Sequence, residues 1–63
     1  MNLDLEKYTL KSNIDEKIGL LNNSKQMIEN SKNEQELEKA ISYAEFVLDR
    51  LSTELSNSKK KIK

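Results

Sequence analysis

Paired carboxylates are the side chains of this sequence that come closest to a chemical site. Three pairs are adjacent or four residues apart, namely Asp15/Glu16, Glu34/Glu38 and Glu45/Asp49. Neighbouring carboxylates can exchange protons with a substrate or hold a divalent cation. At helical spacing they are usually solvated surface, and the chain has no His or Cys to complete a metal site or a nucleophilic centre. We therefore expect no catalytic residue, no metal, no cofactor and no enzyme activity.

The composition excludes several further classes of protein. The chain has 63 residues, eleven basic and eleven acidic side chains, no Pro and one Gly. A single Gly cannot build a glycine-rich phosphate loop, and zero net charge is atypical of proteins that bind nucleic acid. The longest apolar run, Phe46–Leu48, is too short to cross a membrane. We expect a cytoplasmic protein, and its richness in Lys, Asn and Ser suggests a low-GC bacterium or its phage.

Hydrophobic periodicity indicates two amphipathic helices and no strand. At about 100° per residue, the apolar residues of each half fall on one stripe. The first stripe contains Leu3, Leu10, Ile14, Ile18, Leu21 and Ile28. The second contains Leu37, Ala40, Ile41, Ala44, Val47, Leu48, Leu51, Leu55 and Ile62. The pattern predicts a single domain, 1–63, of all-α class: helices at about 2–29 and 34–60, and a Lys-rich end at 59–63.

A turn at about 30–33 is predicted from helix-start signals. Asn33 with Glu36 has the spacing of a capping residue and its partner, and Ser31 with Glu34 offers the same signal two residues earlier. Ser12 with Asp15 is another possible start, which leaves open whether residues 1–12 belong to the first helix. A short turn makes the two helices antiparallel neighbours.

Two helices alone cannot cover both stripes, so we expect the hairpin to dimerise into a four-helix bundle or to dock on a larger protein. A chain of this size stabilises its core only marginally, and it has no disulfide to help. The predicted self-association core is Leu10, Ile14, Ile18, Leu21, Ile28, Leu37, Ile41, Ala44, Leu48, Leu51 and Leu55. Apolar residues beside the stripes are the predicted contacts for a partner protein: Leu20, Met27, Tyr43 and Phe46.

Two short segments resemble the two-helix aspartyl-phosphate phosphatases that act on response regulators of the sporulation phosphorelay. Residues 14–17 (Ile-Asp-Glu-Lys) look like the start of their first helix, and residues 48–51 (Leu-Asp-Arg-Leu) like the end of their Ser-Gln-Glu-Leu-Asp motif. The resemblance implies a hairpin that docks on a receiver domain and assists attack of water on the acyl phosphate. Glu45 and Phe46 occupy the Ser and Gln positions, so only Asp49 carries over. The second helix is also similar to small helical co-chaperones of secretion systems.

These observations support three hypotheses about function. The leading one is a non-enzymatic interaction module that self-associates and binds a larger protein as regulator, inhibitor or chaperone. The second is a response-regulator phosphatase, or a docking relative without activity. The third is a nucleic-acid or membrane accessory that uses the Lys tail, Lys59–Lys63.

Overall fold

Two long helices and one tight turn make up the chain in a computed structural model that describes residues 2–62. Helix α1 spans Leu3–Glu29 and helix α2 spans Glu34–Lys61. The two helices run antiparallel and pack along their length. The predicted all-α hairpin is confirmed. Lys63, the last residue of the Lys-rich end, lies outside the described residues.

Each helix begins at an Asn cap. The side chain of Asn2 accepts a hydrogen bond from the Leu5 amide (3.1 Å), and that of Asn33 accepts one from the Glu36 amide (2.9 Å). Each bond satisfies one of the amides that lack a partner in the first helical turn. The first helix therefore begins well before Ser12, and residues 3–12 belong to it, while Met1 lies outside the described residues.

The turn is held by side chains of its own residues. Glu36 reaches back and accepts a hydrogen bond from the Lys32 amide (2.9 Å), while Ser31 donates its hydroxyl to the Met27 carbonyl (2.7 Å). Ser31 therefore helps to end α1, and the alternative of a second helix starting at Ser31 is wrong. The connection contains no glycine, and no residue between 2 and 62 has a positive φ.

The hairpin is a single layer of helices. Its Cα trace measures 48 × 17 × 7 Å, and its radius of gyration is 14.8 Å. A compact domain of this length would have a radius of gyration of about 11 Å. Because stable domains are usually built from at least two packed layers, one broad side of this hairpin has no layer against it.

The seam between the helices is built from small and polar side chains. Ala40 and Val47 are its buried apolar residues, and Lys17, Ser24 and Ser58 are buried beside them. By helical periodicity, Ala40 and Val47 fall on the same stripe as the larger aliphatic residues. In the structure these two residues face α1, whereas most of the larger aliphatics do not.

Replacing Gly19 with Ala is expected to stabilise the hairpin. Gly19 lies inside α1, and a Cβ built there meets no atom within 4 Å. Alanine is favoured over glycine in a helix by about 1 kcal/mol, so the thermal midpoint should rise by about 4–8 °C. Circular dichroism at fixed protein concentration measures this. A lowered midpoint would instead show that the open space beside Gly19 is filled by another chain.

Candidate interaction surfaces

A buried ion pair joins the two helices near the middle of the seam. The Nζ atom of Lys17 lies 3.0 and 3.1 Å from the two carboxylate oxygens of Glu54, and 2.7 Å from Oε1 of Glu16. Side chains of an α-helix lean toward its N-terminus, so those on antiparallel helices lean in opposite directions. Lys17 lies nearer the turn and Glu54 nearer the open end, so these two side chains lean toward each other. This allows Lys17 and Glu54 to meet, and the pair fixes the register of the two helices.

The ion pair shifts the protonation of its members in opposite directions. Hydrogen bonds with Glu16 and Glu54 raise the pKa of the Lys17 ammonium, and burial opposes them. The hydrogen bond from Lys17 lowers the pKa of the Glu16 carboxyl, with the charge of Lys17 adding to the effect. Both shifts favour the charged forms, so Lys17 and Glu16 stay ionised over a wide range around neutral pH.

A second polar contact closes the open end of the hairpin. The Ser58 hydroxyl donates a hydrogen bond to Oε2 of Glu6 (2.6 Å), and Nζ of Lys61 lies 3.9 Å from Oε1 of the same residue. Part of the Lys-rich end is thus drawn against α1. The side chains of Lys59, Lys60 and Lys61 are nevertheless all exposed.

The seam separates two broad faces of the hairpin, one of them aliphatic. Measured at about 100° per residue, the large aliphatic residues of each helix lie about 60–70° to one side of the residues in the seam. Because the helices are antiparallel, both sets lie on the same side of the hairpin. Seven of these residues are 37–52 % exposed, and we call them the apolar face: Ile14, Ile18, Ile28, Leu37, Ile41, Leu48 and Leu55.

The structure places the predicted self-association core along this face. The seven residues of the apolar face all belong to that predicted set. The other four, Leu10, Leu21, Ala44 and Leu51, are half-buried between the seam and the apolar face. No residue of the predicted set is fully buried within the single chain, so this surface is free to contact another molecule.

The four residues predicted to contact a partner lie on the other side of the seam. Leu20 and Tyr43 are half-buried there, one on each helix. Met27 is 40 % exposed and lines an open groove of about 500 Å³ near the turn, together with Asn30 and Lys39. Phe46 is 61 % exposed, with the Arg50 guanidinium 5.9 Å from its ring centre. This second surface is smaller and more polar than the apolar face.

The carboxylate pairs are not assembled into a site. Asp15, Glu45 and Asp49 are exposed, and of the two residues in the first pair only Glu16 joins the buried ion pair. Between residues 2 and 62, no cluster of three acidic side chains is placed to hold a metal ion. Asp49, which the phosphatase resemblance carries over, forms no ion pair with any residue in that range.

The burial of Lys17 and Ser24 was not predicted from the sequence, although the spacing of the buried polar residues carries a signal. Leu3, Leu10, Lys17 and Ser24 are seven residues apart, so Lys17 and Ser24 continue the line of two leucines along α1. Ser58 continues the line of Leu37, Ala44 and Leu51 in the same way. Residues on one such line share a side of the helix whatever their type, so Lys17, Ser24 and Ser58 are all expected near the seam.

Removing the Lys17 charge should flatten the dependence of stability on pH. Because the pKa of Lys17 is raised on folding, its contribution is present below the ordinary lysine pKa and is lost as the pH rises through its folded value. Because the pKa of Glu16 is lowered, its contribution is present above the ordinary glutamate pKa and is lost as the pH falls through its folded value. Lys17→Met should remove both effects.

Urea unfolding between about pH 3 and about pH 11 measures this dependence. Lys11→Met, at an exposed lysine of the same helix, is the matched control and should keep the wild-type profile. If Lys17→Met and Lys11→Met gave the same pH profile, the ion pair would not contribute to folding.

Alanine substitutions should separate the structural aromatic residue from the exposed one. Tyr43 is half-buried against the seam, so Tyr43→Ala should lower the free energy of unfolding by about 2 kcal/mol. Phe46 is largely exposed and has the Arg50 guanidinium beside its ring, so Phe46→Ala should cost less than about 1 kcal/mol. Thermal unfolding followed by circular dichroism measures both. A large loss of helicity in Phe46→Ala would assign this ring to the core and remove it as a partner contact.

The chain matches no protein-family model, no curated protein and no solved structure. Among residues 2–62, neither helix has a stretch long and apolar enough to cross a membrane. Function is therefore inferred from the geometry of the hairpin itself.

Proposed function

We propose that this chain is a non-enzymatic helical interaction module. It self-associates through the apolar face and binds a larger protein through its second surface, as a regulator, inhibitor or chaperone. The observation that supports this proposal is the combination of a one-layer fold with seven exposed aliphatic residues on one side. Exposed aliphatic residues gathered on one face are typical of a surface that another protein covers.

The seam contributes little net stabilisation to the single chain, which also supports association. A buried ion pair recovers little net free energy, because both charges must leave water before they attract each other. Ala40 and Val47 are the buried apolar residues of the seam, and they are small. The chain can gain further hydrophobic stabilisation by removing the apolar face from water, which happens only when another molecule covers that face.

The two surfaces have the chemistry of two different contacts. The apolar face has only Ile and Leu, which suits a permanent, tightly packed core. The second surface has an exposed aromatic ring beside an Arg, a combination enriched where proteins bind specific partners. We assign self-association to the first and the larger partner to the second.

Introducing a charge into the apolar face should weaken self-association. Leu48 is 52 % exposed in the single chain, and each dimer buries two copies of it. Losing two half-exposed leucine contacts costs about 1.5–3 kcal/mol, and burying a carboxylate costs more. Leu48→Glu should therefore raise the dissociation constant at least about tenfold.

Light scattering and circular dichroism on the same samples, across a hundredfold dilution, measure mass and helicity together. Phe46→Glu is the matched control, because it places the same charge on the other side of α2 and should leave the mass unchanged. A wild-type chain that stays monomeric and helical at every concentration would contradict self-association.

A further inference from the structure

We infer that the apolar face is covered by a second copy of this chain in one orientation, with both turns at the same end of the dimer. The two-fold axis then runs parallel to the helices, and α1 of each copy packs against α2 of the other. This inference rests on the self-association proposed above and adds the direction in which the two copies meet.

The size of the apolar side suits a second copy. The hairpin measures 48 × 17 Å across its broad side, an area of about 800 Å². A typical specific interface buries about 800 Å² on each partner, so one further hairpin would cover this side completely. Two such layers also give the stacked architecture that the single chain lacks.

Charged residues border the apolar face along its outer edges. On each helix they recur every seven residues, at positions just outside the aliphatic residues of the apolar face. Residues at such positions contact each other across paired helices. They are Asp4, Lys11 and Lys25 on α1 and Glu38, Glu45 and Lys59 on α2. All six are exposed, and none of them forms an ion pair with a residue between 2 and 62.

The register of the hairpin sets the heights of these charges. The hydrogen bond between Glu6 and Ser58 places these two residues level with each other. Counted from the turn, Lys25 and Glu38 are equally far along their helices, and so are Asp4 and Lys59. Rotation about a two-fold axis parallel to the helices does not change the position of a residue along that axis. Residues that are level within one hairpin are therefore also level between the two copies.

In this orientation the facing charges are opposite in sign. Lys25 lies opposite Glu38 of the partner subunit, and Asp4 lies opposite Lys59 of the partner subunit. Lys11 then faces an uncharged Ser, and Glu45 faces an uncharged Ile. The symmetry doubles each relation, which gives four pairs of opposite charge and no pair of like charge among these six residues.

The alternative orientation, with the turns at opposite ends, places like charges together. There α1 packs against α1 of the partner, antiparallel. The seven residues of the apolar face are centred at about the height of Ile18, so full overlap of the two faces puts the centre of the pairing there. Lys11 and Lys25 are seven residues to either side of Ile18, so each Lys11 meets Lys25 of the partner subunit. Like charges at such positions oppose pairing, and they disfavour this orientation.

The layers of the core agree with this choice. At the turn end, Ile28 and Leu37 lie at one height, while Lys7 and Ser58 lie at one height near the open end. With both turns at the same end, Ile28 and Leu37 of one copy lie at the height of Ile28 and Leu37 of the other. Lys7 and Ser58 are likewise level with the same two residues of the other copy. The other orientation would bury lysine against isoleucine and leucine.

Charge reversal tests the orientation. Lys25→Glu and Glu38→Lys should each weaken the dimer about 3- to 10-fold, and the double variant should recover to within about twofold of wild type. Lys39→Glu makes the same change in net charge away from the apolar face and should leave the dissociation constant unchanged. In the alternative orientation Lys25→Glu would relieve repulsion and tighten the dimer, which would overturn the inference.

A distance measurement decides the same question independently. The chain has no cysteine, so Lys32→Cys in the turn gives one attachment point for a nitroxide spin label. Pulsed electron paramagnetic resonance should give a distance below about 25 Å with the turns together, because neighbouring helices pack 8–10 Å apart. A distance of about 40 Å, the length of one helix, would contradict this orientation while self-association still held. A chain that stays monomeric at about millimolar concentration would overturn both, and would leave the apolar face to a different protein.

Discussion

The position of the seam relative to the apolar stripes determines the character of this protein. The helices meet along Ala40, Val47 and the Lys17–Glu54 pair, which lie to one side of the large aliphatic residues. Had the helices rotated so that the stripes faced each other, the leucines and isoleucines would be hidden and the hairpin closed. With the observed rotation, both stripes stay on one open side.

The polar seam provides specificity more than it provides stability. A lysine that is 2 % exposed must find a carboxylate, and Glu54 meets it only in one register of the two helices. A register slip by one turn would separate Lys17 from Glu54 and leave it only Glu16, an exposed carboxylate on its own helix. The ion pair therefore aligns the charges on the outer edges of the two helices, including those that we expect a second copy to meet.

Much of the fold could be predicted from the sequence because it depends on local signals. The Asn33 cap with Glu36 marks the start of α2, and the seven-residue spacing of the aliphatic residues marks the exposed side. The buried roles of Lys17 and Ser24 could not be predicted in this way, since both are residue types that usually face water. Their burial follows from a long-range partner, Glu54, and from the close approach of the helices at Ala40.

Of the two candidate surfaces, the apolar face could be predicted from the sequence and the second surface could not. The aliphatic set was predictable because periodicity alone groups Ile14, Leu48 and their neighbours. The second surface was assembled from leftover residues, and the structure puts Tyr43 at the seam and Phe46 beyond it. Whether a residue lies at the seam or beyond it depends on how each helix is rotated about its own axis. That rotation is set by the packing of the two helices and not by local sequence.

A module of this kind gains a regulatory property from its small size. In the dimer that we propose, the largest hydrophobic surface is covered only on association, which would link the free energy of folding to the free energy of association. The folded fraction would then rise with concentration, so a cell that makes more of the chain would also make a larger share of it competent to bind. The second surface, displayed twice on a symmetric dimer, would engage a repeated partner with greater avidity than a single hairpin could. In this proposal, association would serve both to complete the core and to multiply the binding surface.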